Sequence, residues 1–181
     1  SRGNTLRLGG RMWRDLEVTE DELSGPDTDG KFGPGLFGDA FVLFDPEHGE
    51  LRVSDTAPDL AEFTPVSVQR DGGSWYAAAE LGLGSDRLPH RFLLHTGFAG
   101  GVLLDDAFVA AHGLAARLPV TGTRVLKDAL GNDVVVQRVG VPELHLGGVV
   151  LRDVAAERFP GGLGDRSAGV LGCAVLRRFR L

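Results

Sequence analysis

The apolar run Phe92-Leu93-Leu94 ends in His95-Thr96-Gly97, followed by Phe98-Ala99-Gly100. An imidazole at the end of a strand is a group able to serve as a general base near neutral pH. The other histidines, His48, His90, His112 and His145, share no HExxH or other metal-ligand spacing with it, so each reads as a surface or packed residue. Cys173 is the single cysteine, which excludes an intrachain disulfide and a thiolate zinc cage. It follows the glycine of an apolar strand and reads as an inert buried thiol. Asp105 and Asp106 read as a helix cap and its solvated neighbour. Asp27-Thr28-Asp29-Gly30 lacks the remaining ligands and the Glu of a calcium loop, and it does not follow an apolar strand. With no GxSxG, P-loop or GxGxxG leading into a helix, no cofactor and no metal are expected.

The elements that must hold these groups are short. Glycine supplies 27 of 181 residues, roughly twice the average share of about 7%, which predicts many tight turns and strands rather than long helices. Val66-Ser67-Val68 is a short strand, with Asp71-Gly72-Gly73-Ser74 as a turn. Trp75 to Leu83 is a strand candidate despite its Ala-Ala-Ala run, and Arg91 to Leu94 and Gly101 to Leu104 are others. Asp105 or Asp106 caps a short helix through Ala111 that Gly113 closes. Val125 to Leu130, a Gly131-Asn132 turn and Val134 to Val139 form a hairpin. Trp13, Trp75 and Tyr76 read as core or cleft-wall residues, with the core favoured.

The chain also repeats itself. Thr5 to Leu16 matches Glu143 to Val154 with six of twelve pairs identical, and each copy reads as a hairpin around Gly-Gly. Gly35-Leu36-Phe37-Gly38-Asp39-Ala40-Phe41-Val42 matches Gly169-Val170-Leu171-Gly172-Cys173-Ala174-Val175-Leu176. The offsets are 138 and 134, so the earlier copy carries four extra residues in its Ser24 to Gly33 loop. The counterpart of His95-Thr96-Gly97 in the earlier copy would fall before Ser1. The expectation is therefore one nearly whole unit and the back part of another: residues 1–53 as the end of a first lobe, 54–64 as a linker, and 65–181 as a second lobe.

The order strand, X-Thr-Gly, strand, short helix, hairpin, then apolar-apolar-Gly and a helix resembles the aspartic peptidases of the pepsin and retropepsin kind. The resemblance rests on Phe92 to Gly100 and on Ala168 to Phe179, and covers about Thr64 to Leu181, with Thr5 to Val53 as the back of a sister lobe. It implies a mostly β, bilobal acid-protease fold with a short helix after each apolar-apolar-Gly strand. In such proteins two Asp-Thr-Gly turns face each other and share one proton. The ionised carboxylate activates a water, and the protonated one supports the oxyanion. By that resemblance His95 stands at the catalytic position with Thr96 and Gly97, and Phe98, Ala99 and Gly100 would meet substrate. Gly169, Val170, Leu171 and Gly172, with Gly35, Leu36, Phe37 and Gly38, would scaffold the loops.

His95 departs from that pattern, because imidazole cannot reproduce one carboxylate of a proton-sharing pair. Phe98 adds bulk where the family has a small side chain. Three readings stay open: a pseudopeptidase that keeps the loop for folding, an atypical Asp/His site whose Asp lies before Ser1, and an altered or accidental motif. The first implies a peptide or protein partner held as an added strand between the lobes. The missing front of the first lobe, in the same or a separate chain, is a further expected partner. A self-complementing homodimer of lobes is disfavoured by the internal duplication.

A net charge of −6 without a basic stripe makes a nucleic acid an unlikely partner. Arg177, Arg178 and Arg180 read as the solvated face of a terminal element. No apolar run approaches the roughly 20 residues of a membrane span. Without Met or a signal-peptide core at Ser1, the chain is expected to be trimmed or processed. The compartment stays open, an exported setting being slightly favoured.

Overall fold

The computed structural model describes residues 2–19, 30–127, 133–160 and 168–181, with the backbone alone at 126 and 127. It is mostly β, with 52% of the described residues in strands and 12% in helices, and is dominated by one large mixed sheet. Two compact units divide the chain, residues 1–32 and 33–181.

Among its described residues the first unit contains one hairpin, β1 (Asn4–Leu8) and β2 (Arg11–Leu16), paired antiparallel through Leu6↔Trp13, Arg7↔Met12 and Leu8↔Arg11. Its turn is Gly9-Gly10, with φ of +53° and +81°. Two successive positive φ values are what a two-residue hairpin turn needs, and glycine adopts them without a Cβ penalty.

The second unit begins with a 3-10 turn at Pro34–Phe37 and the hairpin of β3 (Phe41–Asp45) and β4 (Glu50–Ser54). The helix expected after Gly35-Leu36-Phe37-Gly38 is absent: the residues that follow form β3. The repeat fails here for a physical reason. In the later copy, partners on both sides hold Gly169 to Gly172 extended, whereas Pro34 starts a tight turn and no strand pairs with Gly35 to Gly38 among the described residues. Phe41-Val42-Leu43-Phe44 then follows its aromatic and β-branched preference. The chain end returns to it, as Phe44 and Leu181 exchange N–H···O bonds of 2.7 and 2.9 Å.

The large sheet contains β5 (Val68–Asp71), β6 (Ser74–Leu83), β7 (Asp86–His95), β8 (Val102–Leu103), β9 (Val120–Lys127), β10 (Asp133–Leu146), β11 (Val149–Arg158) and β12 (Gly169–Gly172). Its order is β5-β6-β7-β12-β8-β11-β10-β9, and β6 also pairs with β10. That extra pairing closes β6, β7, β12, β8, β11 and β10 into a ring. Closure gives these strands partners on both sides and leaves few raw edges.

Period-2 alternation turns one face of each ring strand inward. Ala77, Ala79 and Leu81 on β6 are 1%, 4% and 0% exposed, so the alanine run is a strand despite alanine's helix propensity. They join Phe92, Val102, Val141, Leu144, Val154 and Leu171 in one core cluster. Helix α1 (Asp106–Ala111), α2 (Leu114–Arg117) and α3 (Cys173–Leu176) add Phe108, Leu114, Val175 and Leu176 to it. Trp75 does not: it is 41% exposed, because it precedes the first inward position, Ala77, and pairs with Arg70 on the outer strand β5. Trp13 and Tyr76 are half-buried. The expected Gly131-Asn132 turn lies outside the described residues.

Candidate functional site

The site is built where β7 ends. β12 runs parallel to β7 with Gly169↔Phe92, Val170↔Leu93, Leu171↔Leu94 and Gly172↔His95, so His95 stands across from Gly172. On its other side β12 is antiparallel to β8 through Val170↔Leu103 and Leu171↔Val102. The four residues Gly169–Gly172 are all buried between these neighbours.

The loop that follows is held by its backbone. Phe98 N–H donates to His95 O at 3.1 Å, closing a tight turn. Gly172 N–H donates to Gly101 O at 2.7 Å, Cys173 N–H to Phe98 O at 2.7 Å and Ala174 N–H to Gly100 O at 3.1 Å. Steric fit adds to this. A Cβ on Gly172 would lie 2.5 Å from Phe98 Cδ1 and 2.6 Å from Phe98 O, and would also strike Gly100 O. A Cβ on Gly169 would lie 2.6 Å from the Phe92 ring, and one on Gly97 2.9 Å from His95 Cε1. Gly169 and Gly172, which also meet backbone oxygens, are required by close approach and not by unusual φ, whereas the neighbour of Gly97 is the exposed His95 ring.

Among the residues expected from sequence, His95, Thr96, Gly97 and Ala99 are exposed, and Phe98 and Gly100 are half-buried. The Phe98 ring lies against Gly100 of its own loop and Gly172 of β12. Val170 and Leu171 pair with Leu93 and Leu94 of β7, just before the loop. Gly35 to Phe37 lie in the separate 3-10 turn, which Gly38 caps. Cys173, expected to be buried, is partly exposed, because it opens α3 at the rim where β12 ends.

A pair the sequence did not mark lies on the opposite face of β7. His90 Nε2 is 2.5 Å from Asp105 Oδ2 and 3.2 Å from Gly169 N. Asp105 caps α1, accepting from Phe108 N–H at 3.0 Å, and the His90 ring stacks on Phe108 at 4.1 Å. Nε2 carries either a proton or a lone pair, so it serves Asp105 as donor or Gly169 N–H as acceptor. Asp105 was legible as a cap; His90 shares the inward parity of Leu88 and Phe92, which was the available signal.

Three ion clusters add to the electrostatics, and in one of them buried Glu157 accepts from Arg124 at 2.8 and 2.9 Å with Arg138 at 3.8 Å. Glu143 on β10 meets His145 Nε2 at 2.9 Å, Arg152 at 2.5 Å and Arg87 at 3.2 Å. The His145 hydrogen bond, helped by the two guanidinium charges and opposed by burial, holds the Glu143 carboxyl below its ordinary range. Burial pushes the Asp45 carboxyl up, but bonds from the His48 side chain and backbone N–H, with the charges of His48 and Arg180, more than cancel this and hold it low. Among the described residues no group of three His, Cys, Asp or Glu side chains is placed to hold a metal ion, and no helix is long and apolar enough to cross a membrane.

No family model, curated protein or solved structure matches this chain.

Proposed function

We propose that this protein is a degenerate relative of the aspartic peptidases that grips an extended peptide or partner protein beside the His95–Gly100 loop and does not cut it. One observation carries this reading: the loop is immobilised by backbone hydrogen bonds and glycine contacts, yet its first residue is an imidazole. A rigid, exposed loop at the end of parallel strands suits an extended chain that adds its own backbone hydrogen bonds. An imidazole at position 95 does not share a proton with an opposing acid as two carboxylates do. On this reading the loop is kept for binding and the proton-sharing chemistry is lost.

The test pairs turnover with binding. Incubation with a reduced, unfolded protein from about pH 3 to pH 8 should release no new peptides by mass spectrometry. Labelled extended peptides from the same protein should bind saturably by fluorescence anisotropy. Cleavage that disappears in His95→Ala would overturn the proposal in favour of an Asp/His site completed from outside this chain. Absence of saturable binding would overturn it too.

A further inference from the structure

We propose that Arg158, at the end of β11, anchors a binding site for a small carboxylate. The inference draws on neither the internal repeat nor the peptide-gripping reading.

A guanidinium stays charged at any ordinary pH, so burying one is costly unless an anion meets it. Arg158 is 8% exposed. Among the described residues its side chain makes a single hydrogen bond, from Nη2 to Ala115 O of α2 at 3.3 Å, and no ion pair. Its Nε is buried and has no partner. Arg124 shows the contrast. Its Nε is orphaned too, but its Nη2 reaches both oxygens of Glu157, so that charge is met. The charge of Arg158 is not.

The strand geometry explains why no neighbour serves it. Glu157 is adjacent, but successive residues of a strand point to opposite faces. Glu157 lies across from Arg138, whereas Arg158 lies across from Gln137, which in turn faces Thr123 on β9. The next residues on the Arg158 face are Ala156 and Val139, both in the apolar core. Thr123, Gln137 and Arg158 thus form a polar row, without an acid, where the core ends. Thr123 is exposed, Gln137 half-buried and Arg158 buried, so the row leads from solvent at β9 to the enclosed guanidinium.

These features select the ligand. A carboxylate brings two coplanar oxygens to the planar donors of a guanidinium, and its one negative charge balances the one buried positive charge. The Gln137 amide and the Thr123 hydroxyl are donors of the kind its remaining lone pairs accept. A phosphate dianion would leave an excess of negative charge in the same enclosure. A group kept at a cost to the empty fold is what a ligand site shows.

The test follows the arginine Nε–H signals of the full chain by NMR near neutral pH, with sodium acetate replacing sodium chloride at constant ionic strength. Arg158→Lys keeps the charge and deletes one signal, which identifies it. That signal should move saturably with acetate in the wild type, and acetate should raise the urea midpoint. The rise should need at least about tenfold more acetate in Arg158→Lys and vanish in Arg158→Met. In chloride alone Arg158→Met should unfold at the same or a higher urea midpoint than wild type, because no charge is then left unmet. A lower midpoint for Arg158→Met in chloride would overturn the inference, by making the guanidinium a structural tie between β11 and α2. A signal that acetate leaves in place, or moves without saturation, would overturn it as well. So would tighter binding of inorganic phosphate than of acetate.

Discussion

Gly172 faces His95 across the β7–β12 pair and underlies the loop that follows. Besides the Phe98 ring, a methyl group there would strike Gly100 O and Phe98 O, backbone oxygens already engaged in hydrogen bonds with Ala174 and Cys173. They cannot move aside without breaking those bonds. Gly172→Ala should therefore lower the unfolding free energy by about 3 kcal/mol, measured as a shift of the urea midpoint. Gly140 is the matched control. A Cβ there meets nothing within 4 Å, so Gly140→Ala should stay within about 0.5 kcal/mol of wild type. Both are strand glycines in a glycine-rich chain, and composition does not tell them apart. What separates them is the distance to the neighbouring strand and loop.

Helix α1 shows how one side chain ties elements together. Asp105 accepts from Phe108 N–H with one oxygen and meets His90 of β7 with the other, and Gly169 at the start of β12 approaches the same imidazole. Asp105→Ala should cost roughly 2 kcal/mol, at the upper end for a lost cap because His90 also loses its partner. Asp105→Asn, which keeps the capping oxygen, should recover a substantial part of that loss in the same urea titration. The cap was legible because Asp precedes an apolar helical run closed by glycine. The hairpins were legible from their Gly-Gly turns. The strand at Phe41–Asp45 was not, because Gly35 to Gly38 resemble Gly169 to Gly172 only in sequence. An apolar-apolar-Gly segment becomes a strand when neighbours hydrogen-bond it from both sides, and that condition lies outside the segment.

For the whole molecule, two acidic groups join parts distant in sequence. Glu143 on β10 binds Arg87 of β7 and Arg152 of β11, while Asp45 of β3 binds His48 and Arg180 near the chain end. Both carboxyls are held below their ordinary values in the folded protein. A depressed folded pKa means the folded state binds fewer protons. The stabilisation is therefore complete above the unfolded-state range of about 4 and is lost as pH falls through and below it. Urea midpoints measured from neutral pH downward should fall in that window, and the Asp45→Asn/Glu143→Gln double variant should show a flatter decline. The sequence was enough to establish a strand-rich chain, the duplicated hairpin, the capped helix and the His95 turn, because alternation, Gly-Gly pairs and capping residues act within a few positions of themselves. It did not reveal the closed ring of six strands, the His90–Asp105 pair or the ion clusters. Those depend on which strands lie side by side, and that is settled by burying the apolar faces of segments far apart in the chain.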